Sequence, residues 1–292
     1  MDASAFAEAV SLGDRLSLEH AVSLYRGPLL LECTEPSAAA ARAECERQYL
    51  ECLRRLGDHA GARQFFEECL QIGRDLGDKR LIANAIHGLA HMAFNLNDYP
   101  AARDYYAEEL SLARAMADRE LAARTLHRLG SVEQALGDYS AARRLFEESL
   151  FAAEDLAYRD LESAVLHSLG STACAQADYV TARTCFEQRL SLSEERGDKP
   201  GFSYTLDVIG ALMAAQKQDH QAVLLCAAAQ TLRESLGMSS PVNRLVTPIL
   251  EAARTAFGEP VFQLSGEAGR ALTQDEAAVI ARQQAPSEDD SR

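Results

Sequence analysis

Apolar residues recur at helical spacing from Asp78 to Asp198, and the pattern is written three times with a forty-residue step. In the middle copy, Asp118 to Ala157, Leu126 and Leu129 share one helix face, and Phe146 and Leu150 share another. Gly137-Asp138 separates the two stripes. A glycine can take the left-handed conformation that ends a helix, and an aspartate can cap the next one through its carboxylate. The copy therefore predicts helix A over about Arg119–Leu136 and helix B running to about Ala157. Neighbouring copies align in columns: Asp98, Asp138 and Asp178; Tyr99, Tyr139 and Tyr179; Ala102, Ala142 and Ala182; Tyr106, Phe146 and Phe186. The alanines are small where two backbones approach. Backwards the register includes Asp58, Ala62 and Phe66; forwards it weakens, with Asp219 one residue late.

Outside the clearest copies the punctuation is similar. Residues 3–12 and 17–31 read as short helices split by Gly13-Asp14, with Gly27-Pro28 ending the second and a loop at Cys33–Ser37. From Ala38 the composition is helical almost to the end. Gly77-Asp78 and Gly197-Asp198 repeat the stop-and-cap chemistry, and Pro200 suits a first helical turn. Gly237–Pro241 breaks the array, a helix follows over about 242–257, and Gly258-Glu259-Pro260 reads as another break. Thr273-Gln274-Asp275-Glu276 has the capping-box form and starts a last short helix. The expected division is an N-terminal pair of helices (1–37), a repeat array (38–236), capping helices (237–284) and a disordered acidic tail (285–292).

Leu126-x-x-Leu129-Gly130 with Ala142-x-x-x-Phe146, and Leu166-x-x-Leu169-Gly170 with Ala182-x-x-x-Phe186, resemble the tetratricopeptide pattern. The departures are the lack of an opening Trp, Glu133 in place of Tyr, no closing Pro, and copies about six residues longer than the usual 34. Over residues 38–236 the resemblance implies an all-α, right-handed superhelical solenoid of about five forty-residue helical hairpins, with capping helices at both ends. Such arrays bind through their concave face. At the N-terminus, Phe6 and the run Ala21-Val22-Ser23-Leu24-Tyr25-Arg26-Gly27-Pro28-Leu29-Leu30 resemble the bacterial transcriptional activator domain. At the other end, Ala227–Gly237, Pro241, the stretch AFGEPVF, and Gly269-Arg270-Ala271-Leu272-Thr273 with Glu276-Ala277 look like the tail of ATPase-linked LuxR-type regulators. No G-x-x-x-x-G-K-[ST] loop exists, so no nucleotide site carries over. These two resemblances imply the regulatory or sensing module of a bacterial transcription-regulator or signalling system.

Charge narrows the partners. With 44 acidic against 29 basic residues and a net charge of −15, the chain lacks the basic face that a nucleic-acid backbone or an anionic membrane requires. Seven cysteines without a CxxC pair fit a reducing compartment, and the first ten residues lack the pattern of a signal peptide. Cytoplasm is the expected location, and no transmembrane helix is expected.

One column suggests recognition. His87, His127 and His167 stand forty apart, with Asp207 at the equivalent place. Four residues further on lie His91, Ser131 and Ser171; three before lie Asn84, Arg124 and, in the last copy, Tyr204. Carried onto the concave face by the family resemblance, these residues form a polar groove. Partly protonated imidazoles beside Arg124 suit an acidic peptide or a small anion. The competing interpretation is duplication, with His tolerated at a half-buried seam. On the first interpretation the chain is a protein- or peptide-binding scaffold, or alternatively a sensor of a small molecule or signalling peptide in the same groove. His87 and His91 have a spacing that can chelate zinc, but HGLAH lacks the glutamate of a metalloprotease, so neither metal nor cofactor is expected. Arg63, Arg103, Arg143 and Arg183 read as a solvated column, with i,i+4 pairs to Glu67, Glu147 and Glu187. No Ser or Cys has a base partner, so no enzymatic activity is expected.

Overall fold

A computed structural model describes residues 3–12, 15–24, 51, 57–238 and 246–283, and every regular element among them is an α-helix. The short helices α1 (Ala3–Leu12) and α2 (Arg15–Leu24) come first. The array follows as α3 (His59–Leu76), α4 (Lys79–Asn95), α5 (Tyr99–Ala115), α6 (Arg119–Leu136), α7 (Tyr139–Asp155), α8 (Arg159–Ala175), α9 (Tyr179–Arg196), α10 (Lys199–Ala215) and α11 (Asp219–Ser235). Then come α12 (Val246–Phe257), α13 (Glu259–Ala271) and α14 (Gln274–Ala281). The fold class is all-α, built of paired helices. Two compact units divide the chain, Met1–Leu136 and Gly137–Arg292. Gly13-Asp14, Gly27-Pro28, the 33–37 loop, the helix start at Ala38, Pro241 and the tail from 285 lie outside the described residues.

What shapes each unit is the turn. A residue at positive φ recurs every twenty positions: Gly57, Gly77, Asn97, Ala117, Gly137, Ala157, Ala177, Gly197, Lys217 and Gly237. At eight of them the next residue donates its backbone N–H five residues back, as from Asp78 to the Gly73 carbonyl (2.9 Å), Asp98 to Ala93 (2.8 Å) and Asp178 to Ala173 (2.9 Å). This is the Schellman closure, which satisfies carbonyls the helix end would orphan. That same next residue then caps the following helix. Asp58, Asp78, Asp98, Asp118, Asp138, Asp178 and Asp198 each accept a backbone N–H with their carboxylate. Tyr158 and Gln218 hold the same place without a side-chain cap bond. Asp219 is therefore not a slipped cap: the register is unbroken, Gln218 is the cap residue, and Asp219 lies in the first turn of α11, where its charge suits the helix dipole.

Packing follows the columns. Ala102, Ala142 and Ala182 are wholly buried, as are Tyr106, Phe146 and Phe186. In the first unit Phe65, Cys69 and Leu70 of α3 pack with Ala85, Ile86 and Leu89 of α4, and with Ala9, Leu18 and Ala21 of the N-terminal helices. In the second, Phe186, Leu190, Phe202, Leu206, Ile209 and Met213 form the centre of a core closed by Ala277, Ala278 and Ala281 of α14. A Cβ on Gly170 would stand 2.3 Å from the Phe186 ring, which explains the glycine of the Leu-Gly pair.

The C-terminal region differs from expectation in one respect. Residues 259–271 form a helix, because Pro260 sits in its first turn, where a missing N–H costs nothing. The break is thus a start. Gly269 is where α13 comes close to α11: a Cβ there would meet the Leu224 carbonyl at 2.5 Å. Thr273 and Glu276 form the expected capping box. Arg183 also departs from its column. Its side chain is only 11% exposed. It donates to the Gln283 carbonyl (2.8 Å) at the end of α14, besides approaching Glu187. Arg143 likewise reaches across to Asp178 (3.2 Å).

Five of these turns place a residue other than glycine in the left-handed region, where a Cβ costs about 1–2 kcal/mol. Ala157→Gly should raise the stability by about 0.5–1 kcal/mol, after allowing for the greater freedom of glycine in the unfolded chain. Gly137→Ala should lower it by about 1 kcal/mol. Urea midpoints at constant slope measure both.

Candidate functional site

In the first unit, α4 and α6 bring four of the predicted residues, His87, His91, His127 and Ser131, to one region. His87 and His91, with Phe66, Gly88 and Met92, line a mostly apolar cavity of about 450 Å³. A smaller cavity of about 180 Å³ is lined by His91, His127 and Ser131, with Phe94, Asn95 and Tyr106. Arg128 lines both cavities, as do His91 and Asn95.

The charge on this surface is distributed differently from the expectation. His87 Nδ1 is held by the buried Glu109 carboxylate at 3.0 Å. His91 Nδ1 bonds Asn95 at 3.2 Å. Burial, then the nearby Arg128 charge, then His87 hold the His91 imidazole below the usual histidine range, so it is neutral at physiological pH. Arg124 is spent on Glu120, 3.8 Å away along its own helix. The site's cation is Arg128, which bonds the Tyr106 hydroxyl and pairs with no carboxylate among the described residues. Column alignment misses it, because Ser168 and Val208 occupy the equivalent positions. Asn84 is exposed on α4, away from both cavity linings. Ser131 donates to the His127 carbonyl at 3.0 Å.

In the second unit His167, Ser171, Tyr204 and Asp207 have separate fates. His167 packs against the Tyr204 ring at 5.4 Å and the Phe186 ring at 6.2 Å between centroids. Its Nδ1 is buried without a partner. Burial, and then the charge of Arg189, push its pKa down to about 4. Ser171 is half-buried one turn further along α8. Tyr204 is 42% exposed, with the Arg189 guanidinium 5.1 Å from its ring centre. Asp207 does not line an open surface. It is fully buried and paired with Arg233 of α11 at 2.6 Å. The groove expectation fails at this position because a buried charge needs its counter-ion inside the fold.

Burial pushes the Cys185 thiol up to about 11 and Cys226 up to about 12, so both stay protonated. No three metal-ligating side chains cluster among the described residues, and none of their helices is long and apolar enough to cross a membrane.

Helical hairpins joined by capped left-handed turns, with polar residues on the first helix of each pair, define a scaffold for protein interaction. Tetratricopeptide repeat models match residues 46–115 and 81–155, and another matches 165–200, together half of the chain. The chain belongs to the tetratricopeptide-repeat family. No curated protein matches its sequence. The crystal structure of BtubC (BKLC) from P. vanneervenii is similar in fold, with a TM-score of 0.64 and 19% identity over 83% of this chain and 93% of that one. Aspartyl phosphate phosphatase F from Bacillus subtilis gives a TM-score of 0.47 with 13% identity, over 80% of this chain and 66% of that one.

The buried pair gives a test of the structural role of Asp207. Arg233→Met should destabilise the fold by about 3–5 kcal/mol, because it strands a buried carboxylate. Adding Asp207→Leu to that variant should recover most of the loss, as read by thermal unfolding.

Proposed function

We propose that the chain is a non-enzymatic scaffold whose first unit takes an extended peptide segment with an acidic residue, across the α4–α6 face. One observation carries the reading: two adjoining cavities share a guanidinium, that of Arg128, which has no carboxylate partner among the described residues. A carboxylate set against Arg128 would gain a charge-assisted, forked pair of hydrogen bonds. The larger, apolar cavity between Phe66 and Met92 would then hold a neighbouring apolar side chain. His127, Asn95 and Ser131 add donors and acceptors along the same face. His91 serves as a neutral hydrogen-bonding group here, and the positive charge belongs to arginine.

The regulatory setting is inferred from the two terminal resemblances. On that basis the peptide belongs to a partner or signal in a bacterial transcription-regulator or signalling system, in the cytoplasm. A small-molecule sensor is the second reading, favoured by the 450 Å³ cavity, which is the size that small ligands fill.

A random peptide library displayed on phage and selected on the intact chain tests the proposal. Selection should enrich sequences with Asp or Glu next to an apolar residue. Arg128→Ala with His127→Ala should weaken the best peptide about 10–100-fold, the worth of one charged hydrogen bond, while the helical circular dichroism is kept. Enrichment without acidic residues, or equal binding by a folded double variant, would overturn it.

A further inference from the structure

The second unit holds a different unfinished constellation. Arg189 of α9 is half-buried in the packing and finds no carboxylate within ion-pair distance among the described residues. One acceptor serves it: the Thr205 hydroxyl takes its Nη1–H at 2.7 Å, and that hydroxyl in turn donates to the Gly201 carbonyl. Its Nε is buried without a partner, and so is Nδ1 of His167. Tyr204 joins the two, with the guanidinium over its face and the imidazole at its edge. Because Tyr204 is 42% exposed, the cluster reaches the surface and has a side chain that can move.

The contrast within the same unit is instructive. Arg233 is more deeply buried and has Asp207 at 2.6 Å. A desolvated guanidinium without a counter-ion is costly, and two orphaned ring and chain nitrogens add to that cost. The Arg189 Nε–H lacks a hydrogen-bond acceptor, as does His167 in the tautomer with its proton on Nδ1, and the charge asks for one negative unit. We propose that Arg189, His167 and Tyr204 form a binding site for a carboxylate in the second unit. The site is independent of the α4–α6 face and shares no residue with it. A singly charged, planar carboxylate fits one guanidinium better than a phosphate dianion, because its two oxygens can meet two N–H groups at once. The Arg189 Nε–H and Nη2–H would take one side of the carboxylate. His167, in the tautomer with the proton on Nδ1, would donate to it.

Other charges near the cluster are few. Asp198 acts on Arg189 from the start of α10, but its carboxylate is engaged in capping that helix. His167 is held neutral by burial and by Arg189, so an anion seated against Arg189 should make this imidazole easier to protonate. This supplies a readout on the intact chain.

The test is an NMR pH titration of histidine-labelled protein in sodium trifluoroacetate against sodium chloride at equal ionic strength. Trifluoroacetate stays ionised across the titration. The His167 midpoint should rise by about one pH unit in the carboxylate salt, a tenfold change in proton affinity, while His220 stays in place. Arg189→Lys keeps a positive charge but removes the Nε–H, and should abolish most of the response. A blocked pentapeptide, Gly-Gly-Glu-Gly-Gly, and its Gln counterpart separate the sources. Saturation by the Glu peptide at lower concentration than trifluoroacetate identifies a peptide side chain, and the reverse order identifies a free small carboxylate. Equal His167 midpoints in the two salts would overturn the proposal, as would an unchanged response in Arg189→Lys.

Discussion

A helix that ends on a left-handed residue leaves in a fixed direction, and here that event is repeated every twenty residues from Gly57 to Gly237. The closure at each end is made of backbone, as in the 2.9 Å bond from Asp198 to the Ser193 carbonyl. At seven of these turns the following carboxylate then caps the next helix at the one place where its N–H groups need an acceptor. Helix length is thereby held at seventeen or eighteen residues from α3 to α11. Constant length is what makes residues forty apart equivalent, and without it Ala102, Ala142 and Ala182 would not share a buried position. The strain at Ala117, Ala157, Ala177 and Lys217 shows how strongly the packing selects this geometry. Each of these four turns accepts a conformation its residue disfavours.

Geometric equivalence does not carry chemical equivalence with it. Twenty-two residues beyond His87 stands Glu109, and twenty-two beyond His167 stands Arg189. Both are on the second helix of their hairpin, facing the histidine of the first. Glu109 holds its imidazole by a 3.0 Å bond, whereas burial and then Arg189 press the His167 imidazole toward neutrality. The next copy replaces the histidine with Asp207 and takes its counter-ion from Arg233, one turn further along. A single column thus contains a hydrogen-bonded imidazole, a neutral buried imidazole and an ion pair. The second helix of each hairpin decides which.

This explains what could be read from the chain and what could not. Caps, turns and the aromatic column depend on one residue type at one spacing, so a forty-residue comparison finds them, and α6 was placed to its ends. The twenty-residue period was hidden because the left-handed position is held by glycine, asparagine, alanine and lysine, which share no side-chain chemistry. Helix α13 was hidden by Pro260, since a proline that begins a helix looks like one that breaks it. The cations of the candidate sites were hidden for a deeper reason. Arg128 and Arg189 have no counterpart in the other copies, and a repeat comparison discards what does not repeat.

The overall charge sharpens that point. At −15 the chain repels acidic partners at long range, and physiological salt screens this field beyond about 8 Å. Selectivity for a carboxylate must then arise within contact distance, from a cation that is desolvated and not already paired with one of the chain's own carboxylates. Most arginines fail that requirement: Arg80 is taken by Asp118, Arg143 by Asp178, Arg159 by Glu162 and Arg233 by Asp207. In a protein with so many acidic residues, a half-buried guanidinium that has escaped them all is held away from them by the fold. Arg128 is held against Tyr106, and Arg189 against Tyr204 and Thr205. In both cases a tyrosine is the neighbour, through its hydroxyl at Arg128 and through its ring face at Arg189, and it stabilises the cation without neutralising it. On the proposed reading, each guanidinium would keep its full charge for an external carboxylate while the acidic surface around it disfavours indiscriminate binding.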